Sequence, residues 1–186
     1  MSHIDDTSQL TRKLLLYMDL GLANNEIQLI AEAAKYHDIG KIYIPDHILY
    51  KPGELTKEEY KIVQQHTVIG HDMIMNSNLN RELKKYAAEI ALHHHERIDG
   101  KGYPDGLKGA EISVGARIIA ICDSIDAMTS TRRYRKALGF DICYQEIEKN
   151  LGKMYDPVIG RFVLDNWDKV ITVLQKDENS PEVLIQ

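Results

Sequence analysis

Histidines and aspartates are placed in this chain in a pattern that could hold metal ions. His37 and Asp38 are neighbours at the end of an apolar helical segment, His66 lies on the next one, and His94 continues the apolar stripe of the one after. His93, His94 and His95 are consecutive, and because successive helical residues are turned by about 100°, at most two of them can readily face one point. Asp123 and Asp126 are three apart and so are neighbours on a helix surface. Asp126 also follows Ile119 and Cys122 at i+7 and i+4, which puts its carboxylate on a face that otherwise reads as buried. A buried carboxylate is costly unless paired or metal-bound. Imidazole with carboxylate, and no thiolate, suits iron, manganese or zinc.

Each residue alone also has a plainer reading. A core histidine is usually satisfied by a hydrogen bond, and His47 and His71 are read in that way or as surface residues. Asp126 could cap a helix or pair with Arg117. For His37, Asp38, His66, His94, His95 and Asp123 together the plain reading is weak, because four separate segments bring these types to apolar faces.

The elements that must position them are helical. Leu10, Leu14, Leu15 and Met18 mark a first helix, and Ile27, Ile30, Ala31 and Ala34 a second with Asn24 or Asn25 as cap. Residues 41–55 hold Pro45 and Pro52-Gly53 and read as an ordered loop. Thr56 and Glu59 have capping-box spacing and start a third helix through His66 to about Met75. Leu83 to His94 follow helical spacing, residues 97–113 are too rich in glycine for a helix, and Ile118 to Met128 define a strongly apolar fifth. Asp141 and Asp156-Pro157 read as caps of two more, and Trp167 to Leu174 as a last one. No 20–50-residue repeat and no strand–helix alternation is visible, so the expected fold is all-α, with a domain over 1–175 and a tail over 176–186.

Length and composition fit that picture. At 186 residues, 44% hydrophobic and 27% charged, the chain can bury a core and is neither disordered nor fibrous. A net charge of −5 gives no reason to expect nucleic-acid binding. The longest apolar runs fall short of a membrane span, and the first residues have no secretory pattern, so no membrane association and a cytoplasmic location are expected. Cys122 and Cys143 lack disulfide or zinc spacing and read as buried thiols.

Longer motifs join these residues. His37-Asp38-Ile-Gly-Lys41, Pro45-Asp46, Lys51-Pro-Gly53, His66, and the run His94-His95-Glu96-Arg97-Ile-Asp99-Gly100-Lys-Gly102-Tyr103-Pro104 resemble the HD-GYP family, a branch of the HD phosphohydrolases that cleaves cyclic di-GMP. The likeness continues through Ala116-Arg117-Ile118, Asp123, Asp126-Ala127, Ser130, Tyr134-Arg135 and Asp156-Pro157, and covers roughly residues 20–165. It implies a helical HD-domain bundle with an ordered glycine-rich loop. By resemblance, His37, Asp38, His66, His94, His95 and Asp123 are ligands of a two-metal centre with Asp38 bridging, iron or manganese being favoured and zinc an option. Lys41, Asp126, Arg132 and Arg135 fall on positions around the phosphates, and Tyr103 on one that stacks a base or closes the site. His3 lies near an upstream histidine that joins the metals in some members, but its spacing is about one residue off. A glutamate four residues before that histidine supports a third metal in some members, and with only Met1 and Ser2 before His3 a third metal is not expected.

The implied reaction is hydrolysis of a cyclic dinucleotide to linear pGpG and then GMP. Two metals can lower the pKa of a bridging water and clamp the phosphoryl oxygens. Lys41 and the arginines would stabilise the developing charge, with Asp126 orienting the water or a ligand histidine. The resemblance also implies contacts of the glycine-rich loop with diguanylate-cyclase domains. Two alternatives stand beside it: a catalytically weak sensor or docking module, and a phosphodiesterase for cyclic GMP-AMP. The complete ligand set favours an enzyme, since a retired site has no physical reason to keep costly buried carboxylates.

Overall fold

The structure, a computed structural model, describes residues 3–130 and 137–175, with side chains from residue 7 onward. The described part is helical, its only β pairing being two isolated bridges, Asp99 with Lys108 and Leu151 with Tyr155. Helix α1 is His3–Tyr17, α2 Asn24–Ala33, α3 Asp46–Leu49, α4 Lys57–Met75, α5 Arg81–His93, α6 Val114–Thr129, α7 Phe140–Lys149, α8 Pro157–Asp165 and α9 Trp167–Leu174.

Helix α6 is the axle of the bundle. Ile118, Ile119, Ile121, Cys122 and Ile125 are all fully buried and span an arc of about 160° at 100° per residue; Ala116, also fully buried, widens it to about 220°, broader than the stripe of a surface helix. Helices α1, α5, α7 and α8 pack around it, bringing in Leu10, Leu14, Ile90, Ile147, Ile159 and Val163. Each such side chain stabilises the fold by about 1.5–3 kcal/mol relative to exposure.

Caps fix where the helices start. Thr56 Oγ1 accepts from the Glu59 backbone N–H at 3.2 Å, and the Glu59 carboxylate accepts from Thr56 N–H at 2.8 Å, closing the expected capping box of α4. Asn80 caps α5, Ser113 caps α6, and Asp156 caps α8 with Pro157 in the first helical position. Two expected caps are corrected. Ala23, not Asn24 or Asn25, occupies the cap position of α2, because the Glu26 carboxylate reaches back to the Ala23 N–H at 3.0 Å and satisfies it. Gly139 caps α7, and Asp141 lies inside its first turn, where a carboxylate still favours the positive end of the helix.

The segment read as a loop over 41–55 is more ordered than its prolines suggest. A 3-10 turn spans Ile39–Tyr43, and α3 follows Pro45, whose fixed φ suits a helix start. This turn presses on α4 at Gly40. A Cβ there would stand 2.0 Å from the His66 carbonyl oxygen and 2.6 Å from the Gly70 nitrogen. Only glycine lets the two backbones approach so closely, and the approach sets Asp38 beside His66.

The thiols of Cys122 and Cys143 are buried as expected, and burial pushes them up to about 12 and about 11. Residues 176–186, read as a tail, lie outside the described residues. No described helix is long and apolar enough to cross a membrane.

Candidate metal centre

Four segments meet at one end of the bundle. His37 and Asp38 follow the 3-10 turn that ends α2, His66 comes from α4, His94 and His95 from the end of α5, and Asp123 from α6. Their ligand atoms form two groups, each with all atoms within 4.8 Å of one another: Asp38, His66, His94 and His95 in one, His37, Asp38 and Asp123 in the other. Asp38 belongs to both.

Backbone carbonyls aim three of the rings. His37 Nδ1 lies 2.7 Å from the Ala34 oxygen and His66 Nδ1 2.6 Å from the Val63 oxygen, while His94 Nδ1 lies 3.1 Å from both the Ile90 and Ala91 oxygens. A carbonyl can only accept, so each Nδ1 carries the proton and each Nε2 presents a lone pair in the neutral ring. The Nε2 atoms of His37 and His66 stand 3.4 Å, and that of His94 3.6 Å, from an Asp38 oxygen. His66 Nε2 and His94 Nε2 are 3.5 Å apart, and two lone pairs cannot hydrogen-bond to each other. Buried His37 Nε2 and Asp38 Oδ1 have no hydrogen-bond partner. Ring lone pairs and carboxylate oxygens converging at non-bonded distances fit a site built for cations, and the locked Nδ1 tautomer is the usual support of a metal-ligating histidine.

The electrostatics agree. Burial pushes His66 down to about 4, helped by neighbouring His94, and burial with His94 holds His95 well below its ordinary value. Both rings are therefore neutral at neutral pH, the form that ligates. Burial alone would also depress His37, but the Asp123 and Asp38 carboxylates outweigh it and raise the imidazole to about 10. Against their own burial, His37 and neighbouring cationic groups hold Asp38 and Asp123 well below the usual carboxylate range. A proton on His37 thus neutralises part of the acidic pair. A cation held between the same groups would take over that role and release the proton.

The remaining expected residues fall in different places. The Lys41 ammonium bonds to Asp38 Oδ2, so it sits against the shared carboxylate. Tyr103 stacks on His95, with centroids 4.9 Å and planes 27° apart. Asp126 is buried one turn beyond Asp123 and belongs to neither ligand group; the Ser130 hydroxyl donates to its Oδ1 at 3.0 Å. Arg117 is paired with Asp156 at 2.6 Å, not with Asp126. Arg132, Arg133 and Arg135 lie outside the described residues, as does the His3 side chain.

Sequence reasoning missed what holds the glycine-rich loop. His93 is the one of the three that turns away from the centre, and its ring bridges Glu89 Oε1 at 2.8 Å and Asp105 Oδ2 at 2.9 Å. Glu96 is buried, and its Oε1 accepts from the backbone N–H groups of Asp105 and Gly106 at 2.7 and 2.9 Å. Gly102 presses on the same turn: a Cβ would lie 2.5 Å from the Arg97 nitrogen and the Glu96 Cα. These contacts fold the loop back onto the end of α5 and lay Tyr103 over His95. A charged residue amid glycines reads as solvated, so no sequence signal marked Glu96 as buried.

The comparisons with known proteins fit this geometry. The HD-domain family model matches residues 1–159. The chain is 42% identical over 161 residues to a cyclic di-GMP phosphodiesterase of Thermotoga maritima, covering 87% of this chain and 43% of that protein. It is 38% identical over 153 residues to 3'3'-cGAMP-specific phosphodiesterase 2 of Vibrio cholerae, covering 82% and 29%. The chain therefore spans less than half the length of these relatives. Among solved structures, an HDG"Y"P protein from Bdellovibrio bacteriovorus superposes with a TM-score of 0.68 at 18% identity over 89% of this chain and 51% of that one, a likeness of fold. With an HD-domain match over most of its length and relatives of this kind, the chain belongs to the HD-domain family and to its HD-GYP branch.

Proposed function

We propose that this domain hydrolyses a cyclic dinucleotide, cyclic di-GMP first of all, to linear pGpG and then GMP at a two-metal centre. The observation that carries this reading is the convergence of imidazole Nε2 and carboxylate oxygens into two groups that share Asp38. In the proposal His66, His94 and His95 hold one ion, His37 and Asp123 the other, and Asp38 both. Nitrogen and oxygen donors without thiolate favour iron or manganese, with zinc as the other option. Divalent ions in such a site supply a nucleophilic water at neutral pH and offset phosphoryl charge. The chain's own groups do the rest. The Ala34, Val63, Ile90 and Ala91 carbonyls keep the ring lone pairs aimed inward. Lys41 adds positive charge beside Asp38, Tyr103 covers His95, and Arg132 and Arg135 hold the phosphates. Asp126 acts from α6 as an orienting group rather than as a ligand.

Cyclic GMP-AMP is carried as a second substrate because the names of three relatives specify it. Lys101, Pro104, Asp105 and Gly106 are exposed on the glycine-rich loop, a surface available to diguanylate-cyclase domains. Two free buried thiols suit a reducing, cytoplasmic compartment. Elemental analysis combined with chromatography of the products from both dinucleotides tests the proposal. About two ions per chain are expected, with pGpG released from cyclic di-GMP and the linear guanine–adenine dinucleotide from cyclic GMP-AMP if that is also a substrate. Metal-free protein that cannot be reconstituted, with no product formed, would leave a binding module instead.

A further inference from the structure

The aromatic rings at the metal centre continue outward to solvent. Tyr103 is engaged on His95, and Tyr60 meets Tyr103 at 81°, with centroids 6.2 Å apart. Tyr60 is 49% exposed. It stands in the first turn of α4, six residues before His66, about 9 Å from it along the helix axis. That turn is held by the Thr56–Glu59 capping box and by Lys51, whose Nζ lies 2.6 Å from Glu59 Oε2. A large ring half open to water, on a rigid turn at the edge of the site, is pre-organised to receive a flat apolar surface.

We infer that Tyr60 is the platform on which one purine base of the cyclic dinucleotide stacks while the adjoining phosphate lies at the metal centre. The inference rests on the phosphodiesterase reading above. In a nucleotide the sugar separates base from phosphate, and one ring beyond Tyr103 from His95 is a comparable step outward. Tyr103 itself has a face occupied by His95, whereas Tyr60 keeps half its surface free. Stacking on an aromatic ring does not discriminate among bases, because every base has a π-face. Tyr60 therefore contributes affinity for guanine and adenine alike and leaves their discrimination to other groups.

Steady-state kinetics with cyclic di-GMP and cyclic GMP-AMP test this on the metal-loaded protein. Tyr60→Leu should raise KM by about 5- to 150-fold for both substrates, the range that loss of one base–aromatic stack gives. Its kcat and metal content should stay at the wild-type level, and Tyr60→Phe and Tyr60→Trp should restore KM to within about threefold, since both keep the ring. Tyr60→Gln serves if the leucine variant aggregates. Unchanged KM in the non-aromatic variants overturns the inference. So does a phenylalanine variant as impaired as leucine, which would assign the effect to the hydroxyl, and so does a loss confined to kcat. If wild-type protein turns over neither dinucleotide, the phosphodiesterase reading fails and takes Tyr60 with it. Wild-type turnover with unaltered Tyr60→Leu kinetics sinks Tyr60 alone.

Discussion

Asp38→Asn removes one charge and almost no volume from the carboxylate shared by both ligand groups. Its oxygens lie 3.4–3.6 Å from the Nε2 atoms of His37, His66 and His94, so an amide keeps the shape but puts an NH2 group or a neutral oxygen where cations would sit. Losing an outer-shell partner costs 10–100-fold in metal affinity, and a directly ligating charge should cost at least the upper figure. At a metal concentration 1,000 times the wild-type Kd, binding stabilises the fold by about 4.1 kcal/mol; a 100-fold weaker site leaves about 1.4. The difference, about 2.7 kcal/mol, corresponds to about 5–11 °C in Tm for a domain of this size. Without metal the variant should also be less stable than wild type, because the attraction of Asp38 to His37 and Lys41 outweighs its burial, so the metal-induced shift of each protein is compared rather than its absolute Tm. Melting curves with and without manganese, with calorimetric titration, measure both effects, and activity should fall at least about 100-fold. Equal metal-induced shifts in wild type and Asp38→Asn would refute Asp38 as a shared ligand.

Gly102→Ala should lift the glycine-rich loop off Glu96, since its methyl meets backbone rather than a flexible side chain. Cyclic-dinucleotide turnover should drop about tenfold or more with helical content preserved, and wild-type rates would contradict the loop's role. Asp156→Ala removes two cap bonds and the Arg117 ion pair, for a loss of about 2–4 kcal/mol in denaturant titration. Burial opposes the ionised form of Asp156, but the Ile159 N–H and the Arg117 guanidinium outweigh it and hold the carboxyl below its ordinary range. Its contribution is thus complete above about pH 4 and disappears as pH falls through the folded-state value. Asp156→Asn should flatten that part of the acid stability curve, and an unchanged acid slope would count against the pairing. Arg135→Ala should raise KM by about 10-fold or more with metal content intact, the scale of a charged hydrogen bond, while Arg133→Ala should do little. Equal behaviour of the two would mean a diffuse basic surface.

Much of the site was legible in the sequence because helical periodicity carries phase. The i+11 position of His94 in its stripe and the turn of about 100° per residue limited the three consecutive histidines to two at one point, and the HD-GYP resemblance chose His94 and His95. The Thr56–Glu59 spacing located the start of α4 because a capping box is a local bond pattern that needs no tertiary partner. The apolar run of residues 118–125 announced the central helix for the same reason. Caps failed where a neighbour substituted for them. Glu26 reaches back to Ala23, and Gly139 takes the position expected of Asp141, because several local solutions compete for the same free N–H groups. The close approach at Gly40, the burial of Glu96 and the Arg117–Asp156 pair depend on backbones brought together from segments 9 to 39 residues apart or on separate helices. Residue types and spacing therefore determined which groups could bind metal. The sharing of Asp38 was expected from the resemblance, but tertiary packing alone decided that four backbone carbonyls turn the lone pairs of three rings inward and that Tyr60 stands open at the rim. Those are distances between elements, and one chain's periodicity contains no distance across a bundle.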